Sequence, residues 1–155
     1  MKKITFIFIC LICLIATGCT SKETKEVGSL DKFRDNCVNY GLESVDMLSD
    51  YQVNGVNYIT GSIKCTLNDL TIEMVIYDNS DDASKIQTQH ISSFMAIKGT
   101  AATANKDKGK NYYKFTMISN GYYMVSSRIE NTLIFSKTPI ANKETVEGII
   151  NNMGY

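Results

Sequence analysis

Several features that signal common functions are scarce in this chain of 155 residues. It has one histidine, His90, and only two cysteines after residue 19, too few ligands for a zinc site. Its formal charge is zero and its lysines and arginines form no basic stripe, which argues against nucleic acid as a partner. Its N-terminal apolar run, residues 4–18, falls short of the roughly 20 residues that a membrane-spanning helix needs.

The N-terminal segment has the layout of a secretory signal peptide. Lys2 and Lys3 supply its positive start, residues 4–15 its apolar centre, and small residues follow. We therefore expect residues 1–18 to be cleaved. The remaining 137 residues carry fourteen basic and sixteen acidic side chains, a net charge of −2, and suffice for one domain.

The residues at the expected cleavage site point to a lipid anchor. The sequence Ala16, Thr17, Gly18, Cys19 resembles the lipobox of bacterial lipoproteins. The resemblance implies that the Cys19 thiol receives diacylglycerol, that cleavage precedes Cys19, and that fatty acids such as palmitate hold the mature chain on the extracytoplasmic face of the cell membrane. Each buried methylene adds about 0.8 kcal/mol, so two or three chains give stable attachment. The alternative is a plain secretory signal with a coincidental cysteine.

Residues 19–28 are polar and without periodicity after the cysteine, so we interpret them as a lipidated cysteine followed by a tether. The nine residues after Cys19 reach at most roughly 30 Å, which keeps the domain near the membrane. Residues 29–155 are then expected to form a single domain.

Turn residues predict three β-hairpins. Asn68–Asp69, Asn120–Gly121 and Glu130–Asn131 each separate two strand-like runs and suit two-residue turns. The first turn fixes the pairing of the flanking residues. The expected pairs are Leu67 with Leu70, Cys65 with Ile72, Ile63 with Met74, and Gly61 with Ile76.

Apolar residues at helical spacing predict three helices, starting near Ser29, Asn79 and Asn142. The resulting order, α-ββ-α-βββ-α, is typical of an α+β fold with one antiparallel sheet of about five strands and helices packed on one face. We interpret residues 42–57 as a loop with at most one short strand. Residues 100–111 have no period and are expected to form a mobile, lysine-bearing surface loop.

The mature region as a whole is similar to small lipoproteins of low-GC Gram-positive bacteria. The similarity lies in the stretches YDNSDDA and NGYYMVSSRIENTLIF, the latter followed by a terminal helix. That family has no assigned activity, so the resemblance implies a fold and a location only.

Cys37 falls on the inward stripe of the first predicted helix, and Cys65 on the inward face of the first hairpin. Two alternatives stay open. Outside the cytoplasm the two residues could form a disulfide, or they could remain two buried free thiols.

One face of the last three predicted strands is the candidate contact surface, because it is partly apolar and carries tyrosines that can bind sugars or peptides. Its residues are Tyr112, Ile118, Tyr123, Val125, Ile129 and Ile134. We expect the opposite face to meet the helices. His90 lies on an apolar helix stripe, where a core or boundary role is expected more than catalysis.

These features favour a membrane-anchored, non-catalytic binding domain that engages an envelope protein or glycan through this sheet face or the lysine-bearing loop. No cofactor or metal is expected. Two alternatives belong to other classes. One is a small enzyme acting on the cell wall or lipids, which needs titratable groups converging in a cleft. The other is an immunity or inhibitor lipoprotein directed against a secreted toxin or protease.

Overall fold

One antiparallel sheet runs through the computed structural model, which describes residues 23–155. In the described part the sheet has seven strands, in the spatial order β1-β2-β3-β7-β6-β5-β4. The predicted signal peptide and Cys19 lie outside the described residues. The strands are β1 (Glu43–Asp46), β2 (Ile59–Leu67), β3 (Leu70–Tyr77), β4 (Thr103–Lys108), β5 (Tyr112–Ser119), β6 (Tyr122–Ile129) and β7 (Thr132–Pro139).

The helices are α1 (Leu30–Asn39), α2 (Leu48–Val53), α3 (Ser80–Ala96) and α4 (Lys143–Asn152), with a short 3₁₀ turn (Ile140–Asn142) before α4. α1 and α3 begin where predicted, each capped by a side chain at the predicted start. Ser29 Oγ accepts a hydrogen bond from the Lys32 amide, and Asn79 Oδ1 accepts bonds from the amides of Asp81 and Asp82. The Asn142 side chain makes no cap hydrogen bond to α4; its Nδ2 donates to Asp69 Oδ1 and Thr138 Oγ1.

All three predicted hairpin turns are confirmed. Asn68, Asn120 and Glu130 adopt positive φ angles of 51°, 53° and 51°, as two-residue turns require. The first hairpin has the predicted register throughout, including Cys65 opposite Ile72. These pairings are local consequences of the turns, and so they can be predicted from short stretches of sequence.

The α+β class with a single antiparallel sheet is confirmed, whereas the strand number and element order differ from those predicted. β4, within residues 100–111, was expected to be loop. β1 is the one short strand allowed within residues 42–57, although it was not counted among the five, and α2 in the same stretch was not predicted. Both strands lie at edges of the sheet. All six residues of β4 are exposed, so the strand is held by pairing with β5 and leaves no alternation of apolar residues in the sequence.

Helices cover both faces of the sheet, and the prediction of helices on one face is wrong. α1 and α4 pack on one face, while α2 and α3 pack on the other. The cause lies in neighbouring apolar residues, because adjacent residues of a strand point to opposite faces. In β7, Leu133 and Ile134 are both fully buried, each in a different apolar cluster.

The predicted contact surface is therefore wrong, because it lies beneath α1 and α4. Five of its members are buried in the cluster that these helices cover, and Ile118 packs against that cluster. The buried five are Tyr112, Tyr123, Val125, Ile129 and Ile134. Strand-forming tyrosines here serve the core instead of a ligand.

Cys37 and Cys65 lie in the same buried cluster as free thiols. The hydrogen bond to Cys65, together with burial, raises the pKa of the Cys37 thiol far above its ordinary value. Because the thiolate is the reactive form, a raised pKa lowers the reactivity of the Cys37 thiol. The structure thus shows the second of the two alternatives, two buried thiols.

The segment before α1 is docked on the domain, where a tether was expected. The Lys25 amide donates to Asn111 Oδ1 at 3.0 Å, Asn111 Nδ2 donates to the Lys25 carbonyl at 2.9 Å, and the Lys110 amide donates to the Glu23 carbonyl at 2.9 Å. Gly109 permits this approach, since a Cβ there would overlap the Tyr112 ring and the Glu23 carbonyl oxygen. Residues 23–28 are thus part of the folded domain.

Replacing Asn111 with alanine should release this N-terminal segment, because it removes two hydrogen bonds worth about 0.5–1.5 kcal/mol each. In the full chain we expect the Lys25 amide to exchange hydrogen roughly tenfold faster or more, measured by hydrogen–deuterium exchange. The matched control is Asn105→Ala, at an exposed β4 position. Equal exchange in both variants would contradict the docking.

Candidate functional site

A cleft of about 360 Å³ lies between α3 and the end of the sheet formed by β4, β5 and β6. We call it the Arg128 cleft. The side chains that give it its chemistry are Gln87, Thr88, Lys108, Lys110, Tyr113 and Arg128.

The floor of the Arg128 cleft is set by strand register. Lys108 in β4 lies opposite Tyr113 in β5, and Tyr113 lies opposite Arg128 in β6. Residues directly opposite each other in antiparallel strands point to the same face. Two cationic side chains therefore flank Tyr113 in one row on the face that α3 covers.

Gln87 joins α3 to this row. It is only 2% exposed, and its Nε2 donates to the backbone carbonyls of Tyr113 at 2.7 Å and Ser126 at 3.1 Å. Both hydrogens of Nε2 are thereby used, and the amide oxygen, Oε1, points toward Arg128. Gln87 Oε1 accepts a hydrogen bond from Arg128 Nε at 3.1 Å. The buried glutamine thus holds the guanidinium in place.

Arg128 is a half-buried cation with neutral partners. Besides its bond to Gln87, its Nη1 donates to the Glu130 carbonyl at 3.1 Å, so at least three of its five N–H groups remain available. Within residues 23–155 no carboxylate forms an ion pair with it. Burial lowers the pKa of Arg128, yet a guanidinium stays protonated at neutral pH.

The acidic residues closest in sequence to Lys108 and Arg128, Asp107 and Glu130, interact with other side chains. Asp107 accepts a hydrogen bond from Tyr112 Oη at 3.2 Å and lies 4.0 Å from Lys25 Nζ. The Glu130 carboxylate accepts a bond from Asn111 at 3.0 Å. Among the described residues that line the Arg128 cleft, none is Asp, Glu, His or Cys. A cleft lined by three cationic side chains and no acidic one suits an anion.

A separate, mostly apolar cavity of about 290 Å³ surrounds His90 between α3 and β7. The His90 ring centre lies 4.3 Å from that of Phe135, and in the described structure the buried His90 Nδ1 has no hydrogen-bond partner. Burial lowers the pKa of His90 from its ordinary value of 6.5. A neutral imidazole packed on phenylalanine fits the expected boundary role.

Glu73 is a buried carboxylate whose side chain is held by hydroxyl groups. Its Oε1 accepts hydrogen bonds from Tyr51 Oη at 2.7 Å and Ser62 Oγ at 2.8 Å. Burial and this hydrogen bond raise the pKa of Tyr51 above its ordinary value. Glu73 lines neither the Arg128 cleft nor the His90 cavity, so it is a structural tie between α2, β2 and β3.

Few of the site residues predicted from sequence line the Arg128 cleft. Lys108 and Lys110, from the predicted lysine-bearing loop, line the Arg128 cleft, and of the predicted contact surface only Tyr112 reaches it. Sequence reasoning missed Gln87 and Arg128. Gln87 had a usable signal, because it follows Ala83 by four residues on the buried stripe of α3, where a polar side chain needs buried partners.

Residues 23–155 lack two further kinds of feature. No group of three or more His, Cys, Asp or Glu side chains in this range is arranged to hold a metal ion. None of the helices in the same range combines the length and apolarity needed to cross a bilayer.

Gln87→Ala should destabilise the domain by about 2–4 kcal/mol, because two backbone carbonyls and Arg128 Nε would lose their hydrogen-bond partner. Gln89→Ala is the matched control, since Gln89 is an exposed glutamine on the same helix. Its free energy of unfolding should change by less than about 0.5 kcal/mol. Denaturant unfolding of the full chain measures both, and similar values would contradict the anchoring role.

His90 should make stability fall in mild acid. Because its pKa is lower in the folded state, the unfolded chain binds the proton more readily, so stability is complete above pH 6.5 and decreases as the pH falls below it. His90→Phe should flatten the curve of unfolding free energy between pH 7 and pH 5. Parallel curves for the two proteins would show that His90 does not titrate as inferred.

Comparisons with known proteins add one structural likeness. No protein-family model matches the chain, and no curated protein matches it. Among solved structures it is similar to a GTP-binding regulator from Thermotoga maritima, with 15% sequence identity and a TM-score of 0.47 over 81% of this chain and 87% of that one. At this level of similarity nothing about ligand or activity is carried over.

Proposed function

We propose that this chain is a lipid-anchored binding domain on the extracytoplasmic face of the cell membrane, and that it holds an anionic envelope ligand in the Arg128 cleft without converting it. The observation that carries the proposal is the lining of that cleft. It combines one fixed guanidinium, two lysines and hydroxyl groups, and none of its described lining residues is Asp, Glu, His or Cys.

The anchor rests on the sequence from Ala16 to Cys19, which resembles a lipobox. The folded domain supports an anchor at this end, because the Glu23 carbonyl accepts a hydrogen bond from the Lys110 amide. Only three residues, 20–22, separate Cys19 from this docked segment. A lipid on Cys19 would thus hold one particular end of the sheet against the membrane.

Binding is favoured over catalysis because the titratable groups that an enzyme would use lie away from the cleft. His90 packs against Phe135 in its own cavity, and Glu73 is occupied by two hydroxyl donors. A small hydrolase would need such groups to converge on one substrate position.

The immunity or inhibitor alternative draws on the exposed edge strand β4, to which a partner protein could add a strand. However, β4 carries Lys106, Asp107 and Lys108 within six residues. Charged residues, lysine above all, are how edge strands resist such pairing. The cleft is therefore the favoured site.

A photo-crosslinking amino acid at Thr88, on the rim of the cleft, tests the proposal in living cells. We expect an adduct of discrete mass at Thr88, and none from the same probe at Asp35, an exposed residue of α1. Cys19→Ser should release the protein from the membrane fraction and abolish the adduct. Equal labelling at both positions, or an adduct that survives Cys19→Ser unchanged, would argue against an anchored binding domain.

A further inference from the structure

We infer that the Arg128 cleft binds the phosphate group of a membrane lipid headgroup. The inference deepens the proposed function and rests on it in one respect, the lipid anchor at Cys19. The ligand class follows from the cations in the cleft, and the lipid source follows from where the N-terminal segment is docked.

Three cationic side chains line the same cleft. Arg128 offers unused N–H groups from a guanidinium held by Gln87, while Lys108 and Lys110 contribute flexible ammonium groups from the β4 side. Arginine pairs with phosphate oxygens in a fixed fork, and lysine acts as a mobile point charge. A tetrahedral phosphate has enough oxygens to accept from both kinds of group at once.

The size of the cleft suits a headgroup. Its volume of about 360 Å³ lies at the lower end of the range for small-molecule sites. A glycerol phosphate fits such a space, whereas fatty acyl chains do not belong in a lining of lysines, arginine and hydroxyls. The chains of a bound lipid would remain in the bilayer.

The docked N-terminal segment brings this cleft to the membrane. The Lys110 amide donates to the Glu23 carbonyl at 2.9 Å, and Lys110 lines the cleft. Cys19 is four residues before Glu23, a span of at most about 14 Å. A lipid on Cys19 therefore keeps the cleft rim close to the headgroups whatever the conformation of the intervening residues.

General attraction to an anionic surface would not explain binding at this end of the domain. Glu23, Glu26 and Asp107 are exposed there and offset the lysines. The described lining of the cleft itself contains Arg128, Lys108 and Lys110 and no acidic side chain. Binding should therefore depend on which lysines are removed and not merely on how many.

The test uses the full lipidated chain in nanodiscs and measures hydrogen exchange of residues 84–91 and 108–113. One lipid is phosphatidylglycerol; the other is a glucosyl diacylglycerol, which lacks phosphate. A third arm adds glycerol phosphate to the glycolipid discs, which separates a lipid-borne phosphate from a free one.

Three variants locate the site. Arg128→Gln removes the fixed cation, and the double variant Lys108→Gln/Lys110→Gln removes two exposed charges without touching the core. The matched control, Lys98→Gln/Lys106→Gln, removes two exposed lysines that do not line the cleft. The exposed double variant keeps the test valid even if Arg128→Gln unfolds.

We expect exchange at these residues to be at least about threefold slower in phosphatidylglycerol than in glycolipid discs. Loss of charged hydrogen bonds in Arg128→Gln should weaken glycerol phosphate binding by about tenfold or more. Lys108→Gln/Lys110→Gln should also remove the protection, and the control pair should retain it.

Two results would overturn the inference. Protection by free glycerol phosphate without protection by phosphatidylglycerol would exclude the lipid as the source. Equal exchange in all arms, or equal loss in the control pair, would exclude a phosphate site. If the Thr88 adduct nevertheless forms in cells, the proposed binding function is retained and the ligand is of another class. If Cys19 proves unmodified, the proposed anchor is wrong, and the glycerol phosphate arm still tests the ligand class.

Discussion

The buried amide of Gln87 fixes both the position of α3 on the sheet and the position of the Arg128 guanidinium. A polar side chain in such a place costs free energy unless its hydrogen bonds are made, and here the carbonyls of β5 and β6 take both amide protons. The remaining oxygen then has one direction in which to face, toward Arg128. Packing of the helix and charge in the cleft are therefore coupled through one side chain.

Over its central strands the sheet is core on both faces and offers no contact face there. Its central strands are apolar on both faces, so each face needs a helical layer, as Leu133 and Ile134 illustrate by entering different clusters. A surface that would serve as a contact face in a two-layer protein is core in this three-layer one. The Arg128 cleft lies near one end of the sheet, where residues of β4, the β4–β5 turn, β5 and β6 meet residues of α3.

How far the sequence predicts this molecule depends on the range of each interaction. Hairpin turns at Asn68, Asn120 and Glu130 are decided by residues next to one another, and their registers follow. The edge strand β4 has no apolar face to reveal it, because pairing with β5 is its main support. The cleft needs Gln87 and Arg128, which lie 41 residues apart and meet only when helix and sheet assemble. Lysine enrichment in residues 100–111 was the part of the site that composition could show.

The docked N-terminal segment changes the mechanics expected of a lipid-anchored domain. A free tether of nine residues would let the domain turn in any direction relative to the bilayer, since it spans up to roughly 30 Å. Pairing of Lys25 with Asn111, and of Glu23 with Lys110, consumes most of that length on the domain itself. The shorter the remaining connection, the fewer orientations it allows, and under the proposed anchor at Cys19 these would present the β4–β5 turn to the membrane. Orientation at the bilayer would thus follow from hydrogen bonds inside the domain, with no need for a second point of attachment.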